Sequence, residues 1–276
     1  MKNKKLRLMV GSLLVAIVGV SFVGCGNGDS EAKGGNVISI SGSTSVGPLM
    51  EAIAEKYEAE NDISLEIQQI GSSAGVKDTI TGINEIGMAS RELKDEEKSQ
   101  VDGTVICFDG IALVVNNANS VSDVTMEQVK DIYTGKITNW KELGGKEAEI
   151  VVVSREEGSG TRGAFEELIG YTPEELVKTA QISDGNGNIK TTVAGNENAI
   201  GFISFEYLDG ETKALTLEGV EPNADNVKSG DYKVSRPFNI TTKEDTLTEN
   251  GKALIEYILS PAGQEIVTEK GLITVD

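Results

Sequence analysis

From Asn36 onward, apolar positions follow two alternating rhythms. Residues 37–41, VISIS, form a short β-branched run. Val46, Leu49, Ile53, Ala54 and Tyr57 then recur at helical spacing with polar residues between them. The cycle repeats. ISLEIQQI reads as a strand and GSSAGVKDTITG as a short helix, while INEIGMAS and TVICFDGIALVVN read as strands. TMEQVKDIYTGK predicts a helix, AEIVVVS a strand and TRGAFEELIG a helix with Ala164, Phe165, Leu168 and Ile169 inward. Such alternation predicts an α/β fold with mainly parallel sheets.

The first 24 residues break this rhythm. Lys2, Lys4, Lys5 and Arg7 precede an almost uncharged apolar run, the pattern of a secretory signal. Gly24-Cys25 at its end resembles the box at which bacterial lipoproteins are cut and lipidated, so Cys25 is the expected lipidation site. Residues 25–36, rich in Gly, Ser and Asn, read as a flexible tether. The expected location is therefore the cell membrane, on its extracytoplasmic face.

Composition removes several chemistries. The 276-residue chain contains no histidine, which excludes a Ser-His-Asp triad and His-ligated zinc. Cys25 and Cys107 are its only cysteines, too few for a disulfide framework, and Cys107 reads as a buried small hydrophobe. No cofactor or metal is expected. A formal net charge of −19 makes nucleic acid a poor partner, because phosphate backbones need basic patches. An anion can still bind such a chain, since screening confines distant surface charge to about 8–10 Å.

Three times a strand ends, a Gly-Ser unit follows and a helix begins: Gly42-Ser43-Thr44-Ser45, Gly71-Ser72-Ser73 and Gly158-Ser159-Gly160-Thr161. Each sets hydroxyls and unpaired N–H groups at a helix N-terminus, where partial positive charge favours anions. Arg155 precedes the third unit and supplies forked, charge-assisted bonds, with Glu157 as the expected brace for its guanidinium. The segment SREEGSGTRG lacks both the P-loop order and the nucleophile elbow. A serine hydrolase would need a lysine base, for which Lys77 is the candidate partner.

The segments SGSTSVGPLM, IGSSAGVKD, IGMASREL, IYTGKITNWKELGG, REEGSGTR, AIGFISF and ILSPAGQEIV resemble, in this order, the phosphate-binding protein of Pst-type phosphate ABC transporters. The likeness runs from Val37 to Ile273. It implies a type II periplasmic-binding-protein fold: two Rossmann-like α/β lobes joined by a two-strand hinge, closing on inorganic phosphate. Carried over, Thr44 and Ser45 match the first phosphate loop, Ser72 the second, and Arg155, Ser159, Gly160 and Thr161 the third. Ser90 and Arg91 stand where many members have Ser-Asp, whose Asp accepts a hydrogen bond from protonated phosphate. Both are counted in the phosphate-binding set, and Asp109 is the candidate replacement acceptor. The implied organisation is residues 37–110 plus 239–276 as lobe one and 111–238 as lobe two. The implied partners are inorganic phosphate, a membrane permease and, through the lipid anchor, the membrane itself; a monomer is expected. Three readings stay open beside this one: another oxyanion such as sulfate or molybdate, a secreted Ser/Lys hydrolase, and an adhesin or sensor without a ligand.

Overall fold

The computed structural model describes residues 36–275. The expected signal segment, Cys25 and the tether up to residue 35 lie outside the described residues. Among those described, no helix is long and apolar enough to cross a membrane.

The first part of the chain runs β1 (Val37–Gly42), α1 (Gly47–Glu60), β2 (Ser64–Gln69), α2 (Ser72–Thr81), β3 (Ile86–Ala89) and the single-turn α3 (Asp95–Lys98). The long β4 (Asp102–Val115) follows, then β5 (Asp123–Val124), α4 (Met126–Tyr133), β6 (Val151–Arg155), α5 (Gly160–Ile169), β7 (Gln181–Ser183) and α6 (Gly185–Ala194). The rest is β8 (Ala199–Ser204), β9 (Lys213–Ala214), β10 (Thr216–Leu217), α7 (Ala224–Lys228), β11 (Ser235–Thr242), α8 (Glu249–Leu259), α9 (Pro261–Glu269) and β12 (Ile273–Thr274).

The expected strands and helices form where the periodicity places them. In α1, Leu49, Met50, Ile53 and Tyr57 make one buried stripe. Each such side chain contributes about 1.5–3 kcal/mol by leaving water. Helix starts are held by local bonds. Thr125 Oγ1 accepts from Gln128 N at 3.1 Å, and Gln128 Oε1 accepts from Thr125 N at 2.9 Å.

One sheet carries both halves, in the order β2-β1-β3-β11-β4-β8-β6-β7. Its flanks are parallel, β1 with β2 and β3, and β6 with β7 and β8. The centre departs from the mainly parallel expectation: β11 runs antiparallel to both β3 and β4, and β4 antiparallel to β8. The reason is topological. β4 carries the chain out of one half and β11 brings it back, so these neighbours must point oppositely.

β4 also feeds two separate cores. Ile106 and Cys107 join a cluster built on β1, α1, β3, α8 and α9, whereas Ile111 to Val115 join one built on α4, β6, α5, α6 and β8. On β11, Phe238 and Ile240 belong to the first cluster. Cys107 is fully buried, and burial pushes its thiol well above the ordinary range. It packs as the expected small hydrophobe.

Candidate anion site

The three Gly-Ser units lie at the carboxyl ends of β1 and β6 and just before α2, as parallel strand–loop–helix units place them. In the first unit, Ser43 Oγ accepts from Ser45 N at 3.1 Å and Val46 N at 3.3 Å, which folds Thr44 and Ser45 into a tight turn ahead of α1. In the second, Gly71 takes a φ of 93°, open to glycine, and Ser72 becomes the first residue of α2. In the third, Ser159 caps α5, its Oγ accepting from Arg162 N at 3.2 Å. Gly160 and Thr161 begin that helix.

These units meet. Ser45 Oγ and Thr161 Oγ1 share a hydrogen bond of 2.8 Å, and Arg155 Nη2 donates to Thr44 Oγ1 at 3.0 Å. Ser73 N donates to Gly158 O at 3.1 Å. Ser72 Oγ accepts from Ser90 N at 3.1 Å and lies 3.3 Å from Ser90 Oγ. A Cβ placed on Gly160 would sit only 2.2 Å from Ser72 Oγ, so α5 approaches α2 as closely as glycine permits. Thr44, Ser45, Ser72, Ser90, Arg155, Ser159, Gly160 and Thr161 therefore form one cluster. All are buried except Thr44, which is half-buried.

Arg155 is its cation, and it is 1% exposed. Its brace is Glu156, which accepts from both Nε and Nη2 at 2.7 Å. Glu157, the expected brace, is exposed. The adjacent residue wins because Gly185 N, at the start of α6, donates to Glu156 Oε2 at 3.2 Å and holds it inward. Burial alone would raise the Glu156 carboxyl; the bonds from Arg155 and Gly185 override it and keep it below the ordinary value.

Two of the predicted residues are committed elsewhere. Arg91 spans Glu97 with two bonds of 2.8 Å and reaches Ser73 Oγ at 3.4 Å, so it braces α3 at the rim of the cluster. Asp109 is fully buried where β4 meets β11. Its Oδ2 accepts from Arg236 at 2.7 Å and its Oδ1 from Phe205 N at 3.2 Å. Burial lifts its pKa to about 6, against the Arg236 charge, and burial likewise lowers Arg236 to about 10. Both carboxylate oxygens thus have donors of their own within the strand crossing. Lys77, the candidate base, is exposed on α2.

Asn186 escaped the sequence reading. It is 1% exposed at the start of α6, where Nδ2 donates to Ser45 Oγ at 2.9 Å. Its Oδ1 accepts from Ser204 N at 3.2 Å and from Arg155 Nη1 at 3.4 Å. The available signal was a fourth strand–loop–helix unit, Ser183-Asp184-Gly185-Asn186, with Gly-Asn in place of Gly-Ser. Tyr207 adds a further tie, its hydroxyl donating to Thr44 O at 3.2 Å.

Chemically, the cluster offers hydroxyls, N–H groups at two helix starts and one guanidinium. This set can replace the water around a tetrahedral oxyanion with directed donors. Among the described residues, no grouping of Cys, Asp or Glu could hold a metal ion.

Known proteins resemble this chain in sequence and fold. The family model described as the PBP superfamily domain matches residues 28–262. The phosphate-binding protein PstS of Bacillus subtilis is 36% identical over 296 residues, covering 100% of this chain and 95% of that protein. A Clostridium perfringens structure with bound phosphate, assigned as a phosphate ABC transporter substrate-binding protein, shares 58% identity at a TM-score of 0.86. It covers 87% of this chain and 100% of its own. An ABC-type phosphate transport receptor from Vibrio cholerae shares 39% identity at a TM-score of 0.75, covering 86% and 100%.

Proposed function

We propose, from the fact that this chain belongs to the PBP superfamily and to its phosphate-binding proteins, that it captures inorganic phosphate and hands it to an ABC importer. The observation that carries the reading is the convergence of three hydroxyl-bearing loops and Arg155 on one buried point. Those loops come from both cores of the molecule, so a bound ion gains its full set of contacts only when the halves are together. A ligand that contacts both halves stabilises the closed arrangement by its differential affinity for it. The closed shape is what the permease recognises in this reading.

In this reading lobe one is residues 37–110 and 239–276 and lobe two 111–238; the two cores support a crossing at β4 and β11, except that Phe238 already packs in the first core. In this reading the functional form is a monomer, processed after Gly24 and held by a lipid on Cys25 at the extracytoplasmic face. Its role is binding rather than catalysis: Ser159 Oγ caps α5, and Lys77 points to solvent.

Calorimetric titration with phosphate tests the function. Tryptophan emission is a poor substitute, because Trp140 is buried in the second core with its Nε1 donating to Asn198 O. The wild type is expected to bind one phosphate per chain, and Arg155→Ala to bind at least about a hundredfold more weakly, as expected for a buried charge-assisted bond. Absence of phosphate binding by the wild type contradicts the reading.

A further inference from the structure

The hydroxyls of the cluster share a property beyond their convergence. Four of them already accept a hydrogen bond from a nitrogen: Thr44 from Arg155, Ser45 from Asn186, Ser72 from Ser90 N and Ser159 from Arg162 N. A hydroxyl has one hydrogen to give, and an N–H acceptor bond leaves that hydrogen free to point elsewhere. The cluster is thereby biased towards giving hydrogens rather than receiving them.

At Ser45 the bias depends on a side chain whose orientation is fixed. Ser204 N and Arg155 Nη1 can only donate, so the atom of Asn186 facing them must be its oxygen. Its NH2 group consequently faces Ser45 Oγ. Ser45 is in turn bonded to Thr161 Oγ1 at 2.8 Å. Two hydroxyls linked in this way spend one hydrogen on each other and have one left. With Asn186 donating at the near end, Ser45 can pass its own hydrogen to Thr161, which presents the spare one at the far end.

We propose that Asn186 is a positioning residue of the anion site, which wires the Ser45–Thr161 pair as a hydrogen donor and makes the site prefer the doubly charged form of phosphate. The inference rests on the oxyanion-binding reading above. Dihydrogen phosphate brings two O–H groups to a wall of donors and leaves one or both without a good acceptor. Hydrogen phosphate brings one such group and three bare oxygens. An unpaired buried donor costs more than a made bond returns, so the donor-biased wall discriminates by proton count.

Asn186→Asp reverses the wire with little change of shape. One carboxylate oxygen keeps the bonds from Ser204 N and Arg155, while the other takes the Ser45 hydrogen. Thr161 then donates to Ser45, and a lone pair faces the site. The added charge would also repel an anion, so the same substitution is made in a Ser45→Ala background, where the charge remains and the wire is cut.

Phosphate is titrated into five proteins (wild type, Asn186→Asp, Ser45→Ala, their double variant and Asn186→Ala) between pH 6 and 8.5. Wild-type affinity is expected to rise with pH as the dianion forms. Asn186→Asp is expected to lose at least about tenfold at pH 8.5 and much less at pH 6, flattening the profile. In the Ser45→Ala background the same substitution is expected to leave the shape of the profile unaltered. Asn186→Ala, which removes the amide without adding charge, is expected to weaken binding and to lower the pH sensitivity. The inference is overturned if Asn186→Asp changes affinity by the same factor at every pH, or if its pH signature is equal with and without Ser45. A wild type that binds phosphate with no pH trend overturns it too, while leaving the transport reading intact. A wild type that binds no phosphate removes both.

Discussion

Glu206 follows Phe205, whose N–H binds Asp109, and both of its carboxyl oxygens are buried without a hydrogen bond from the protein. Burial and then the Asp109 charge raise its pKa to about 8, with Lys270 pulling the other way and Glu51 adding to the rise. A folded value above the ordinary 4.5 means that the neutral acid is the form the fold favours. Its contribution to stability is therefore complete below about pH 4.5 and is lost as the pH rises through 8. Asp109 has the same sign over its own, lower window, ending near 6. Glu206→Gln removes the titration but keeps the shape. Relative to wild type, the variant is expected to gain roughly 2–4 kcal/mol between pH 4.5 and 8.5, several degrees in Tm, read by thermal unfolding across pH. Parallel pH profiles for the two proteins would contradict it.

These individual side chains were unevenly legible. The hydroxyl loops could be read because the Gly-Ser unit recurs at three strand-to-helix junctions, one beside an arginine; a single unit would read as an ordinary N-cap. Asp109 could not, because its partner Arg236 lies 127 positions away and only strand pairing brings them together. Nor does the sequence show that Glu97, six positions on, holds the Arg91 guanidinium at the rim of the cluster. Glu156 and Glu157 are equivalent in sequence; the choice between them was made by a backbone N–H from α6.

Where helices meet strands, α5 tells most about how the halves fit. Its first residue, Gly160, lies against Ser72 and Ser90 of the opposite half, with no room for a methyl group. The backbone there is helical, so Gly160→Ala keeps α5 intact and leaves each core untouched. The clash arises only when the loops are together. The variant is expected to keep a wild-type melting temperature without ligand, within about 2 °C, and to bind phosphate at least tenfold more weakly by calorimetry, about the effect of one lost or strained contact. Unchanged affinity would mean that the two loops never come this close around the ion. Most elements of this kind were visible in the periodicity, including the long apolar run of β4. The two-residue strands β5, β9, β10 and β12 were not, since two residues carry no period. The antiparallel centre was missed for a related reason: periodicity reports which face is buried and says nothing of direction.

The molecule as a whole carries a large negative charge yet gathers donors for an anion. The two facts are compatible because the site's field is local. Helix starts and one guanidinium act within a few ångströms, and surface carboxylates are screened over about 8–10 Å. Arg155 is also partly neutralised by Glu156, so the ion is held by directed bonds more than by net charge. Those bonds come from loops on both cores, and β4 and β11 carry the chain between the two.

Diffraction from crystals grown with phosphate gives the most direct test. The account predicts one tetrahedral ion between the halves, bonded by Thr44, Ser72, Arg155, Ser159, Gly160 and Thr161, with Ser45 behind Thr161. An ion bound to one half alone, or these loops facing different directions around an empty cleft, would contradict it.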